Sequence, residues 1–445
     1  MSEEVSLNKQ VLKLAIPSIL ANITIPLVGI VDTAIVGHIS DASAIGGIAV
    51  GTMLFDLLYW NFGFLRIGTS GMTAQAFGRG DKHEVSTILA QSLVITAGAT
   101  LLIWAIQWLF VTAVLACVPC SAEVASFARK YFFIRIWAAP ATMSLMALKG
   151  WFIGVQDTVS PMTTDIVVNV VNMFSSYVLA VYTPLGAIGV AYGTLIAQYT
   201  GLLVAIVILL AKYKEFLTII LKSSNLEIFQ SIRRLLRLNG NLFIRSLCFM
   251  VVYVGFTAIA GWYGDVQLAV SSILMKLFMF FSYFVDGFAY AGEALVGKYI
   301  GAQADRKTLT KVVRVLFNWS IGVGLLFTLI YAFWGEGCVR LMTDEADILT
   351  AVKPFLPWLI AMPIVSTLAF MWDGIFVGAT AGKQIRDAMI WAAIGFVIAY
   401  AALYKPCGIQ ALYIAYFVHL GARVIYLTIK WKYVIDQSSL ESSQE

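Results

Sequence analysis

Residues 22–38 read "NITIPLVGIVDTAIVGH", an apolar run with one carboxylate, Asp32, at its middle. A charged side chain at the centre of a bilayer costs about 2.5–3.5 kcal/mol on insertion scales. Two arrangements avoid that cost: the carboxylate faces a water-filled cavity, or it takes up a proton. A group that can do both is a proton carrier, and this is the chemistry expected of Asp32. The alternative is a structural carboxylate that its neighbours satisfy permanently. Pro17 and Pro26 lie in the same run. Each removes a backbone hydrogen bond and can bend a helix, so the run reads either as a bending element or as a loosely packed one.

A later run, near 160–182, holds Asn169, Asn172, Ser175 and Ser176. Asn172 and Ser176 are four apart and share a helical face. With Tyr131 and Thr194 from neighbouring runs, they suit hydrogen bonding to a buried carboxyl, or ordinary polar bonds between helices. Asp286 and Glu293 are seven apart and share a face. Together with Asp373 they are candidates for a second acidic site for a cation, or else solvated helix ends. Lys149 and Asp373 carry opposite signs and are expected near the cytoplasmic ends of their spans, where long side chains snorkel. Asp56, Arg66, Arg135, Lys276 and Arg245 are further charges inside apolar runs.

The elements that must position these groups are membrane helices. The 445 residues are 60% hydrophobic and 12% charged, with a mean hydropathy of +0.85, against about 25% charged in soluble chains. Twelve apolar runs reach the roughly 18 residues that span a bilayer. They lie near 12–37, 44–70, 86–116, 124–150, 160–182, 185–211, 238–262, 266–297, 312–340, 350–378, 385–404 and 408–430. The fold class is an all-α membrane protein, and a soluble nucleic-acid binder is excluded. The start, "MSEEVSLNKQ", lacks the pattern of a cleaved signal peptide.

With both termini placed in the cytoplasm, 19 Lys and Arg fall inside and five outside (Arg129, Lys130, Arg340, Lys353, Lys405). That bias sets the orientation. The basic, amphipathic stretch 212–237 is expected on the inner membrane surface. The expected domains are an N-lobe at 1–211, this linker, a C-lobe at 238–430 and a disordered tail at 431–445. Cys117 and Cys120 in "CVPC" read as a chance pair at a helix end. No phosphate loop, HExxH or histidine cluster is present, so no enzyme activity, cofactor or metal is expected.

The two halves repeat at an offset of 224 residues. "TAIVGHISD" (33–41) meets "TAIAGWYGD" (257–265), and "KGWFIG" (149–154) meets "DGIFVG" (373–378). Tyr59, Gly63, Phe64 and Gly68 meet Tyr283, Gly287, Phe288 and Gly292. Each half holds six spans, so the repeats share one orientation and are expected as two lobes related by a pseudo-two-fold axis along the membrane normal, with a central cavity. At this offset Asp32 meets Phe256, so the scaffold can be built without the charge.

"ANITIPLVGIVDTAIVGH", "FLRIGTSGMTAQAFG" (64–78), "GWFIGVQ" (150–156) and "WDGIFVGAT" (372–380) resemble the MATE multidrug-efflux family, within it the DinF branch. The resemblance covers all twelve spans. It implies a two-lobed, twelve-helix antiporter that exports cationic or amphiphilic organic compounds in exchange for inward protons or sodium, and the chain is expected as a monomer in the inner membrane. It further implies that Asp32 is the coupling acid, Pro17 the bending proline, and Tyr131, Asn172 and Thr194 its polar partners. Many relatives carry an Asp where this chain has Ser176, which favours a proton over sodium. The rival reading is a flippase for lipid-linked precursors on a related scaffold. Such a protein favours a strongly cationic cavity, whereas this chain places a lone Asp in its first span.

Overall fold

The computed structural model describes residues 2–39, 42–118, 120–222 and 225–440. The described residues form sixteen α-helices and three short 3-10 turns, with no strand among them. The helices of the first half are α1 (Ser2–Ile39), α2 (Ala42–Trp60), α3 (Phe64–Arg79), α4 (Lys82–Cys117), α5 (Ala122–Arg135), α6 (Ala139–Gly154), α7 (Val159–Val181) and α8 (Gly189–Lys212). After the short α9 (Lys214–Lys222) come α10 (Asn225–Trp262), α11 (Asp265–Gly301), α12 (Arg306–Arg340), α13 (Ala346–Ala351), α14 (Leu356–Gly378), α15 (Gly382–Cys407) and α16 (Gln410–Leu440). Twelve segments are long and apolar enough to cross a membrane, and they coincide with the twelve expected runs. Helices are the natural solution here, because hydrocarbon supplies no partner for an exposed backbone N–H or C=O. The chain is a multi-pass membrane protein.

The internal repeat is visible in local geometry. Gln156 and Thr380, 224 apart, both take left-handed φ values of 67° and 53°. Around each, the same bonds close the preceding helix. Asp157 N donates to Phe152 O at 2.9 Å and Gln156 N to Ile153 O at 3.0 Å. Ala381 N donates to Phe376 O at 2.9 Å and Thr380 N to Val377 O at 2.8 Å. This doubled closure satisfies carbonyls that a helix end leaves free.

Close helix crossings repeat as well. A Cβ added to Gly150 would stand 2.2 Å from Arg66 O, and one on Gly154 2.5 Å from Thr73 Cβ. In the second half, one on Gly374 would stand 2.4 Å from Ala289 O, and one on Gly378 2.7 Å from Glu293 O. Small residues let backbones approach where no hydrophobic effect drives helices together.

The chain forms two compact units that do not follow its midpoint. One comprises 20–73 with 81–236, and the other 1–19, 74–80 and 237–445. The first 19 residues and the short stretch 74–80 thus pack with the second half of the sequence, a different division from the expected lobe edge at 211. The physical reason is contact. Gly287 of α11 leaves room for α1, since a Cβ there would stand 2.9 Å from Ala15 O, and Trp319 donates to Asn8 at 2.8 Å. Gln75 donates to Gly378 O at 3.0 Å.

Three further expectations are corrected. Of the expected disordered tail at 431–445, the stretch 431–440 is instead the end of α16, held by the buried Val434 and Ile435, and 441–445 lie outside the described residues. Lys149 does not stand alone at a span end, because it pairs with Asp165 of α7. The second part of the linker is no separate surface element, since α10 already begins at Asn225 and runs on through the seventh span. All five cysteines, Cys117 and Cys120 included, are free.

Outside the spans, Asp157 ties the start of α7 to the end of α8. It accepts from Ser160 N at 2.9 Å, Ser160 Oγ at 2.5 Å, Tyr213 OH at 2.8 Å and Lys212 Nζ at 3.3 Å. Burial pushes the Asp157 carboxyl up, but the Ser160 and Tyr213 hydrogen bonds and the Lys212 charge outweigh it and hold it below its ordinary value. A depressed carboxylate stabilises the fold above its unfolded pKa of about 3.9 and loses that contribution as pH falls through the folded value. Asp157→Asn is therefore expected to lower the Tm of detergent-purified protein at pH 7 by about 1–2 °C. The gap to the unsubstituted protein should close as pH drops below about 4. A gap independent of pH would show that the charge of Asp157 contributes nothing.

Candidate functional site

Asp32 lies on α1, Asp56 and Tyr59 on α2, Tyr131 and Arg135 on α5, Asn172 and Ser176 on α7, and Thr194 on α8. All belong to the unit built from 20–73 and 81–236. Four of these helices therefore bring together the polar residues expected to serve Asp32.

Asp32 Oδ1 is buried and has no hydrogen-bond partner. Ser176 approaches it from α7, and Arg135 lies within Coulombic reach. Ser176 Oγ and Asn172 Oδ1, one turn apart on the same face, are also buried without partners. The other end of Asn172 is fixed, because Nδ2 donates to Thr194 Oγ1 at 3.0 Å, and Thr194 in turn donates to Val190 O at 3.1 Å. A buried polar atom without a partner costs about 1–3 kcal/mol. Three such oxygens on two facing helices make a place where a bound proton or small cation would gain ligands.

The α7–α8 crossing positions Ser176. A Cβ on Gly193 would stand 2.5 Å from Ser176 Oγ and 2.6 Å from its backbone N, so only glycine allows this approach. At the Pro26 end of α1, Asn169 donates to Thr24 Oγ1, which donates to Ala21 O at 2.7 Å. These bonds lie in the turn before Pro26, the residue that has no N–H for the carbonyl of Asn22.

Arg135 is the functional group that sequence reasoning passed over. Its Nη1 donates to Tyr131 OH at 3.0 Å, and its guanidinium stacks over the Phe55 ring at 4.7 Å. It exerts its charge on both Asp32 and Asp56. Tyr131 therefore reaches Asp32 through Arg135 and not through a bond of its own. The signal was present, since an arginine inside a span calls for the same explanation as an aspartate there. Gly51 of α2 makes the arrangement possible, because a Cβ there would stand 2.5 Å from the Tyr131 ring.

The other candidates lie elsewhere. Pro17, Asp286, Glu293 and Asp373 belong to the second unit. Asp373 is no free acid for a cation, because it accepts from Arg245 at 2.7 Å and Arg423 at 2.6 Å. Glu293 is buried on α11.

Comparison with known proteins agrees with this architecture. The MatE family model matches residues 17–178 and again residues 242–404, a doubling with nearly the spacing of the internal repeat. The chain is 34% identical to DNA damage-inducible protein F of Escherichia coli K12 over 429 residues, which cover 96% of this chain and 92% of that protein. It is 24% identical to human multidrug and toxin extrusion protein 1, over 91% of this chain and 69% of that one. In structure it is similar to a MOP superfamily transporter of Pyrococcus furiosus, with a TM-score of 0.85 and 16% identity over 97% of this chain and 96% of that one.

The packing beneath Arg135 can be tested directly. Gly51→Val should displace Tyr131 and cost about 1–3 kcal/mol through overpacking, read as a lower Tm in detergent. Gly98→Val is the matched control, since nothing lies within 4 Å of a Cβ at Gly98, and it should leave Tm unchanged. Equal effects of the two substitutions would mean that Tyr131 does not rest on Gly51.

Proposed function

Because the chain belongs to the MATE (MatE) family, matched over both halves, we propose that it is a proton-coupled antiporter exporting cationic or amphiphilic organic compounds by alternating access. The observation that carries the reading is Asp32, a carboxyl inside the first span with one buried oxygen left without a partner. Proton uptake turns this carboxyl from an acceptor-only group into one that also donates. Ser176 Oγ and Asn172 Oδ1 are the unpartnered oxygens on the facing helix. Binding a proton therefore removes one of the two negative charges that share Arg135 and lets the carboxyl donate a hydrogen bond, and release reverses it. A cationic compound and the proton compete for the same negative charge, which couples export of one to entry of the other. The neutral Ser176, in place of a second acid, supports a proton over sodium.

Orientation follows from the same proposal. Both termini are cytoplasmic, as the distribution of Lys and Arg supports. Pro17 lies two residues before α1 passes from one unit to the other, where a bend would act on the helix that carries Asp32.

Asp32→Asn should leave the protein folded and abolish export driven by a pH gradient in proteoliposomes. Asn resembles a protonated Asp in shape but releases no proton. In the second half, the corresponding Phe256 is fully buried against Tyr413 and Tyr416, at 5.4 and 5.6 Å between centroids, so a neutral group is compatible with this scaffold. Export by folded Asp32→Asn at the rate of the unsubstituted protein would remove the coupling role. Imposing sodium and pH gradients separately identifies the ion, and export driven by sodium alone would replace the proton in this scheme.

Pro17→Ala should slow turnover more than it weakens equilibrium binding of the exported compound. Pro17 is fifteen residues before Asp32, about four helical turns, too far to touch a ligand beside that carboxyl. Equal losses in binding and turnover would count against a bending first helix.

A further inference from the structure

The second unit contains a buried ionic cluster that the proposed exchange does not use. Asp373 of α14 accepts from Arg245 Nη2 of α10 at 2.7 Å and from Arg423 Nη2 of α16 at 2.6 Å. One carboxylate thus faces two guanidiniums, and Arg cannot be deprotonated to correct the balance. The excess is one positive charge in a desolvated place. The residue Arg423 is only 1% exposed, and its Nε and Nη1 have no partner. Arg245 Nε is likewise unpartnered. One turn before Arg423 on α16 stands His419, fully buried and stacked on Tyr416 at 5.9 Å. The surroundings are aromatic, with Arg423 set over the Phe370 ring at 5.7 Å.

We propose that this cluster is a binding site for one small monovalent anion, held by the free donors of Arg245 and Arg423 on the side of the guanidiniums turned away from Asp373, beside His419. A single negative charge neutralises the cluster and gives the buried donors an acceptor. Both corrections are large, since an uncompensated buried charge is costly to the fold. A small anion enters past Arg245, whose side chain is 20% exposed against 2% for Arg423. A divalent or bulky anion does not suit a cluster with one excess charge and nearly complete burial. A purely structural tie between α10, α14 and α16 is the competing account. It needs only the two bonds to Asp373 and leaves the remaining donors unexplained.

The test uses full-length protein purified in detergent at fixed pH and ionic strength, with potassium gluconate replaced stepwise by potassium chloride. Tm should rise with chloride and saturate, and the protein should retain about one radiolabelled chloride per chain. A parallel series with potassium formate distinguishes an inorganic ion from a small carboxylate. Chloride acting alone assigns the site to halide, and formate acting as well extends it to carboxylate-bearing ligands. Arg423→Gln should abolish the dependence. Asp373→Asn should shift it the other way, tightening chloride binding by roughly tenfold or more, because it removes the competing negative charge. No saturable rise and no retained chloride in the unsubstituted protein would overturn the proposal, whatever the variants do. So would a rise that Arg423→Gln leaves intact, which is a general salt effect, or a folded Asp373→Asn protein that binds chloride no more tightly.

Discussion

Charge inside hydrocarbon must be balanced close at hand, and much of this molecule is arranged around that constraint. Lys149 meets Asp165 from the neighbouring α7. Arg135 is shared by Asp32 and Asp56 in one unit, and Asp373 is shared by Arg245 and Arg423 in the other. The two shared clusters are unbalanced in opposite senses, two acids to one base around Arg135 and one acid to two bases around Asp373. An unbalanced buried cluster is costly unless something mobile completes it. In the proposed exchange a proton completes the first cluster, and in the proposed site a small anion completes the second.

The frame that holds these clusters is built by close approach of backbones. Gly150 and Gly154 against α3, and Gly374 and Gly378 against α11, set the same crossing twice. Gly51 and Gly193 do the finer work, seating the Tyr131 ring and the Ser176 backbone. Because side chains at these crossings have no slack, a displacement of α5 or α7 is felt by the polar groups they carry. Rigid packing of this kind favours discrete arrangements over continuous deformation.

The twelve spans were legible because long apolar runs admit few other structures in a bilayer. The repeat was legible because glycine spacing and turn positions survive where side-chain chemistry diverges. Asp32 stood out as a carboxylate without a local partner. Arg135 was counted among the span charges but given no role, since its link to Asp32 and Asp56 crosses between helices distant in sequence. Asp373 read as a free acid for the same reason. Its partners lie 128 and 50 residues away, beyond any helical periodicity. The assignment of the first 19 residues to the second unit was equally hidden, because it rests on contacts such as Asn8 with Trp319, 311 residues apart. Local pattern reports which face of a helix is polar and is silent about which distant helix will meet it.

That last pairing bears on how the chain is made. The opening turns of α1 are made long before the helices they pack against, which are translated only after the first six spans are finished. Until then this segment must wait in the bilayer with its docking surface uncovered, and so must the short stretch 74–80. Assembly of the second unit is therefore also completion of the first helix, and a chain severed between the halves would separate α1 from part of its own packing. The midpoint of the sequence is a boundary for the repeat but not for folding.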